Sequence, residues 1–333
     1  MTDRTLTEAD LRLLAAAGGA APSLHNSQPW RFRPATDRRG LLVYADESRA
    51  VPVADPDGRA LHVSVGAALY NLRVAASHLG WSADVRLCPE PEEPELLAAL
   101  DFTEAGPAES PELYGAIAQR HSSREPFANR DVPEAVLGVL IQAAAAENTQ
   151  LAVLEEAEAR RVMSLTAEAE SRIAADVVRQ AETRAWLRLE APATDGIPAE
   201  ALGPLDHDAR VPMRSFSGRP PSPARPTQRF EALPQLALIS THGDRPVDWL
   251  RAGQALERVW LLATLHGVRA SVLHQAVEWP ETRWRLRDTA EGPGHVQMIV
   301  RLGYGPPGSP TPRRAVDEIL DLSGTGSHAG GEG

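Results

Sequence analysis

The chain has 333 residues, 43% of them hydrophobic, enough to bury a sizeable core and too many for a largely disordered chain. Its formal charge of −11 disfavours general attraction to nucleic acid or an anionic membrane, and no apolar run approaches the roughly 20 residues that span a bilayer. Cys88 is the single cysteine, which excludes an intrachain disulfide and a cysteine-rich iron–sulfur or structural zinc site.

The opening residues, Met-Thr-Asp-Arg-Thr-Leu-Thr-Glu, carry no apolar signal core, so a cytoplasmic protein is expected. The first helix is predicted over LTEADLRLLAAA, from Leu6 to Ala17, with Thr7 as N-cap, acidic Glu8 and Asp10 in the first turn, and Leu11 and Leu14 on the apolar stripe. Pro22-Ser23-Leu24-His25-Asn26-Ser27-Gln28-Pro29-Trp30 follows as a loop stiffened by two prolines. Short strands are then expected at Trp30–Arg33 and Leu41–Tyr44. A long helical pattern runs from Gly66 to Gly80 as GAALYNLRVAASHLG, with the final glycine suited to a left-handed C-cap.

The second half repeats these patterns. VPEAVLGVLIQA, from Val132 to Ala143, matches the first helix with Glu134, Ala135, Leu137 and Leu140 over Glu8, Ala9, Leu11 and Leu14, and Pro133 suits a first helical position. GQALERVWLLATLHG, from Gly253 to Gly267, matches the long helix at five positions. The ordered pairing of two helix types indicates an internal duplication. Strands are expected at Leu151–Leu154, Leu236–Ile239 and Val296–Val300. Residues 155–190 read as helix. Residues 191–229, rich in proline, glycine, serine and arginine, read as a lid, an interface arm or a flexible linker, and residues 324–333 as a disordered tail. The whole is an α+β chain with helices packed around antiparallel or mixed sheets.

Each half lacks a loop that the other carries. Pro22, Ser23 and Asn26 sit after the first helix, where the second half has Glu147-Asn148-Thr149-Gln150. Arg120-His121-Ser122-Ser123-Arg124 precedes the second half's helix, where the first half has five residues. Short polar arms beside exposed amides suit a heteroaromatic ligand or a turn that satisfies itself. Arginine forks suit a phosphate or a polar ring edge, or an ordinary ion pair with Glu125. Arg313 and Arg314, after a late strand, complete a phosphate site only if the fold carries them to Arg120.

Together, PSLHNSQPW, RHSSREPF, GAALYNLRVAASHLGW and the late VRLGYG…PRR resemble the flavin-dependent nitroreductase family, in particular its duplicated actinobacterial Acg-like branch, from Leu6 to Leu320. The resemblance implies a nitroreductase-like fold fused as an internal pseudo-dimer, with halves at 1–118 and 119–323. It implies one intact composite pocket for FMN and one degenerate pocket. Arg120, Ser122 and Arg124 match the first flavin-binding segment, Pro22, Ser23 and Asn26 the loop across the interface, and Arg313 or Arg314 the late phosphate position. His121 stands where a second arginine is commoner, and an extra residue precedes Phe127.

The activity the resemblance implies is electron transfer from NADH or NADPH through FMN to a small nitroaromatic or quinone-like acceptor. The alternative is storage or sequestration of FMN under a lid in which Met213 and Phe216 pack over the ring and Arg210 and Arg214 reach anionic groups. No catalytic residue is assigned, since the cofactor carries the chemistry. No metal motif or Walker loop is present, and Asp195, His207 and Asp208 lack a nucleophile context. Neither a nucleic-acid nor a membrane partner is expected, and the pseudo-dimer is compatible with a monomer or a further homodimer.

Overall fold

The computed structural model describes residues 4–104, 106, 109–189, 193–216, 225–287 and 294–323. The first half runs α1 (Glu8–Gly19), β1 (Trp30–Pro34), β2 (Gly40–Ala45), α2 (Arg59–His78), β3 (Ser82–Leu87), β4 (Leu96–Thr103) and a short α3 (Glu112–Ile117). The second begins with α4 (Glu134–Ala145) and β5 (Gln150–Val153). An excursion follows: α5 (Glu156–Ala175), α6 (Val177–Ala185) and four two-residue strands, β6 (Leu187–Arg188), β7 (Ile197–Pro198), β8 (Leu205–Asp206) and β9 (Thr227–Gln228). Then come β10 (Gln235–Thr241), α7 (Pro246–Leu265), β11 (Arg269–Val272), α8 (Pro280–Arg285), β12 (His295–Gly303) and α9 (Val316–Ile319).

The chain draws one topology twice. The first sheet has the order β1-β2-β4-β3, and the second, read from its β5 edge, has the order β5-β10-β12-β11. Every ladder in both is antiparallel; β6–β7 and β8–β9 in the excursion pair in parallel, as do the isolated bridges Phe32–Leu320 and Ser122–Ala270. α1 and α4 precede the first strand of each sheet, and α2 and α7 fall between the second and third strands. The halves differ chiefly at one connection: β1 and β2 are joined by a short turn, whereas residues 154–234 separate β5 from β10.

Local chemistry sets the helix ends. Thr7 caps α1 in a capping box with Asp10. α2 and α7 both end at a glycine with positive φ, +81° at Gly80 and +69° at Gly267. The next amides, Trp81 N and Val268 N, reach back to Ala76 O and Ala263 O, each at 2.8 Å. Two expectations shift by a residue or a break. Pro133 is the N-cap of α4 rather than its first helical residue. The helix expected over 155–190 divides at Asp176, whose carboxylate accepts from Val178 N and Arg179 N to start α6.

Leu11 and Leu14 of α1 pack with Trp30, Phe32 and Val43 in the first core, and Leu137 and Leu140 of α4 pack with Leu151, Ile239 and Val300 in the second. The second sheet is buried on both faces. Ala237, Ile239 and Val300 face α4 and α7, whereas Leu236, Leu238 and Ile299 face α5 and the excursion. That double burial explains why these strands read as unbroken apolar runs rather than alternating ones. Among the described residues no helix is long and apolar enough to cross a membrane.

α2 and α7 bind the halves together through matched glycines. A Cβ on Gly66 would lie 2.2 Å from Leu250 O, and a Cβ on Gly253 would lie 2.0 Å from Val63 O. Each glycine meets the carbonyl three residues before the other, as a pseudo-twofold axis requires. The C-terminal segment then returns to the first half: Asp321 N donates to Phe32 O at 2.8 Å, and Arg12 pairs with Asp317 at 2.7 Å. The tail expected at 324–333, and residues 191–192 and 217–224 of the expected arm, lie outside the described residues.

Candidate functional site

The loop after α1 is strained and tightly held. His25, Asn26 and Gln28 have φ of 52°, 55° and 53°, the left-handed region that costs a non-glycine residue on the order of 1 kcal/mol or more. Ser23 Oγ accepts from Gln28 N at 2.9 Å within the loop. Outside it, Asn26 Nδ2 donates to Gly196 O at 2.9 Å and to Pro312 O at 3.0 Å, and Gln28 Nε2 donates to Thr194 O at 2.9 Å. The second half therefore supplies the bonds that stabilise the first half's loop.

Residues 120–124 leave α3 as extended chain and dock on β11, where Ser123 N donates to Ala270 O at 3.0 Å. Arg120 and Arg124 consequently diverge, and neither pairs with Glu125. Arg120 is buried: its Nε lies 3.1 Å from Glu257 Oε1, its Nη2 donates to Ala20 O at 3.1 Å, and its guanidinium lies 4.9 Å from the Trp260 ring centroid. Burial pushes the Glu257 carboxyl above its usual range, opposed by Arg120. Arg124 donates to Ala201 O at 2.6 Å, with Phe216 beneath it at 5.6 Å. Desolvation, with Arg225 and Arg214 nearby, lowers its pKa to about 10.

The adjacent late arginines part company. Arg313 donates to Ala20 O at 2.9 Å, to Ala21 O at 3.2 Å and to Asn26 Oδ1 at 3.0 Å. Desolvation, then repulsion from Arg120, lowers its pKa to about 9, with Glu257 opposing. Arg314 turns away, its backbone N donating to Gln28 Oε1 at 2.8 Å and its guanidinium reaching Asp46 at 3.3 Å.

Both motifs converge on one cavity with two lobes. The wide lobe, about 860 Å³ and partly open to solvent, lies among Leu256, Trp260 and Met298, with Met213, Arg214 and Phe216 covering it. The narrow lobe, about 430 Å³, is walled by Asn26, Arg120, His121, Thr311 and Arg313. Pro22, Ser23, His25, Ser122, Arg124 and Ile197 line both and mark the junction. The lining of the two lobes includes four arginines and three histidines; Glu257 and Glu278 behind it pair with Arg120 and Arg214, whereas Arg124 and Arg313 have no acid partner among the described residues. In a partly desolvated site that imbalance favours an anion. His25 Nε2 and Arg313 Nε are buried there without a hydrogen-bond partner.

The described part of the 191–229 arm walls this cavity and is fixed to the first half. Arg49 bonds Asp195, which also pairs with Arg188 at 2.7 Å, and Glu182 of α6 accepts from Val53 N and Ala54 N at 2.9 and 2.8 Å. Met213 and Phe216 line the cavity as expected for a cover. Arg214 pairs with Glu278, while Arg210 sits at the surface against Asp208. Asp195 and the His207–Asp208 pair do not converge. Glu257 and Trp260 were not singled out from sequence, although a lone acid among the apolar positions of α7 was a legible signal.

The pseudo-symmetric position is filled. Arg73, seven residues after Gly66, stands where Trp260 stands after Gly253, and Glu147 follows α4 as the Ala20–Pro22 stretch follows α1. Arg73 bridges Glu147 and Glu109, each at 2.7 Å, and Arg258 pairs with Glu147 at 2.7 Å. Tyr70 OH donates to Glu109 at 3.1 Å. Acids and bases there satisfy each other.

The nitroreductase family model matches residues 117–304. A Mycobacterium tuberculosis protein provisionally named an NAD(P)H nitroreductase is 30% identical over 309 residues, covering 90% of this chain and 88% of its own length. A second from the same organism, provisionally named NAD(P)H nitroreductase acg, is 29% identical over 329 residues, covering 97% and 98%. Among solved structures, a Bacteroides fragilis nitroreductase with bound FMN is 16% identical, covers 62% of this chain and 94% of that one, and has a TM-score of 0.38.

Proposed function

The chain belongs to the nitroreductase family, and from that premise we propose that it is an FMN-dependent oxidoreductase taking electrons from NADH or NADPH to a nitroaromatic or quinone-like acceptor. The observation that carries the reading is the two-lobed cavity itself. A cationic lobe joins an apolar slot, which matches a molecule with a phosphate at one end and a planar ring at the other. The orphaned Arg313 Nε and His25 Nε2 fit a ligand that completes them.

Arg120, Ser122 and Arg313 would hold the phosphate, with Asn26 orienting Arg313 through its side-chain oxygen. Pro22, Ser23 and Arg124 would border the ring at the junction. Arg314 is committed to Gln28 and Asp46 and is left out of the phosphate site. Bound there, FMN supplies the ring that a nicotinamide reduces and an electron-poor acceptor reoxidises. The protein's part is to bind, to orient and to exclude water. One chain furnishes both sides of the cavity, so a monomer suffices, and a cytoplasmic location gives access to NADH and NADPH.

A second reading, FMN storage, is favoured by the arm: Met213, Arg214 and Phe216 cover the wide lobe, and the Arg214–Glu278 pair, the Ser215 N to Glu170 bond and the bonds from Arg225 to Arg214 O and Ser215 O fix that cover in place. The test is purified protein loaded with FMN and mixed with NADH or NADPH, with and without a quinone. Rapid nicotinamide oxidation supports the reductase. Tight FMN binding with neither nicotinamide consumed replaces it with storage, and failure to bind FMN overturns both.

A further inference from the structure

His25, at the junction, keeps a buried ring nitrogen that none of the described residues serves. It is 5% exposed, it lines both lobes, and its Nε2 is buried without a hydrogen bond. A buried polar atom with no partner lowers the stability of the free protein. The backbone adds to that cost, because His25 sits at φ 52° beside Asn26, which is also in the left-handed region at φ 55°. The clamp from Gly196, Pro312 and Arg313 onto Asn26 holds this arrangement in place and fixes where the ring points. Strain and an orphaned nitrogen at the same residue, in the wall of a cavity, mark a group prepared for a ligand.

The ligand's chemistry follows from the imidazole's surroundings. Desolvation and the nearby Arg214 keep it neutral, so it has one N–H to donate and one lone pair to accept with. Its neighbours across the junction are Ser122 and Arg124, beyond the lobe that carries Arg120 and Arg313. A ligand anchored by its phosphate in that lobe presents the polar edge of its ring at the junction. We propose that His25 hydrogen-bonds the polar edge of the flavin ring and sets how far the ring enters the wide lobe. This deepens the FMN reading and rests on it.

The test uses two replacements and two ligands. His25→Asn tolerates the left-handed backbone but withdraws the Nε2 position, whereas His25→Gln keeps a hydrogen-bonding group there. Fluorescence titration of each variant with FMN and with riboflavin, which lacks the phosphate, separates ring contacts from phosphate contacts. His25→Asn is expected to weaken FMN and riboflavin by the same factor, about tenfold, and His25→Gln to recover most of it. The thermal midpoint of the flavin-free His25→Asn protein is expected to be no lower than that of the parent, since no hydrogen bond is lost.

Unchanged riboflavin affinity in His25→Asn overturns the proposal, as does a loss confined to FMN. A lowered flavin-free midpoint in His25→Asn that His25→Gln does not share is accepted only if His25→Gln also keeps riboflavin affinity; if both variants bind riboflavin equally badly, His25 fills space. Should the parent bind no flavin at all, the FMN reading itself fails, and that is visible before any variant is made.

Discussion

Arg313 is surrounded by neutral acceptors, the carbonyls of Ala20 and Ala21 and the amide of Asn26, and among the described residues no carboxylate lies within ion-pair distance of it. Its charge is therefore available to an anion. Arg313→Gln is expected to weaken FMN by about 10- to 100-fold, the loss of a charge-assisted contact, and to leave riboflavin binding unchanged by fluorescence titration. Arg314→Gln, whose partners are Gln28 and Asp46, is expected to leave FMN binding nearly unaltered. Sequence could not separate these adjacent arginines, because the chain path after Pro312 decides which one faces the cavity. His25 carries a pH signature as well. Burial, together with Arg214, His274 and Arg124, lowers its pKa from 6.5 to about 3, with Glu278 opposing. The unfolded chain thus binds the proton first as pH falls, so this contribution to stability is complete above pH 6.5 and is lost progressively toward pH 3. His25→Asn should flatten the fall of the urea midpoint across that window. A slope equal to the parent's would show that His25 does not titrate there. His274, depressed by burial in the same direction, keeps part of the slope in the variant.

The helix pair α2–α7 shows how far the repeated pattern could be read. Both helices were legible from Gly66 and Gly253 onward, with their glycine C-caps at Gly80 and Gly267, but not their first two turns, which begin at Arg59 and Pro246. That Gly66 and Gly253 face each other was not, because periodicity defines a face but not its partner. Alanine at either position would drive a Cβ to 2.2 or 2.0 Å from a backbone carbonyl, which cannot rotate away. Gly66→Ala or Gly253→Ala is expected to cost about 3 kcal/mol by urea unfolding, the upper end for overpacking. Gly138 in α4 has open space around its Cβ position, so Gly138→Ala should instead gain roughly 0.5–1 kcal/mol. Five of the eight large-sheet strands stood out in the sequence as apolar or alternating runs. β3, β4 and β11 did not. Ser82-Ala83-Asp84 has little β-propensity, Leu96–Leu100 is as compatible with helix as with strand, and Arg269–Val272 is too short to show a period. Their pairing partners, not their own residues, make them strands.

At the scale of the molecule, the two unmatched loops lie on one side of the pseudo-twofold axis and an ion-pair cluster on the other. The junction of Pro22–Asn26 with Arg120–Arg124 was legible because each half lacked what the other carried. The cluster was not, since Arg73, Glu109, Glu147 and Arg258 are far apart in sequence and have no motif. Its geometry bears on how many ligands a chain can hold. Arg73 and Arg258 share the Glu147 carboxylate, Glu109 takes the other side of Arg73, and Tyr70 closes the set, so no guanidinium there lacks an acid. A phosphate entering would have to displace a carboxylate that costs it nothing to keep. Titration of the protein with FMN is therefore expected to saturate at about one flavin per chain; two equivalent sites would contradict the filled position. Removing the plug should not create a second site. Glu147→Gln leaves Arg73 and Arg258 facing each other in a largely desolvated space, and with both arginines still a fifth to a quarter exposed the loss is about 2–3 kcal/mol. The variant should unfold earlier in urea yet still bind one FMN, because Arg73 stands at the position where Trp260 lines the wide lobe.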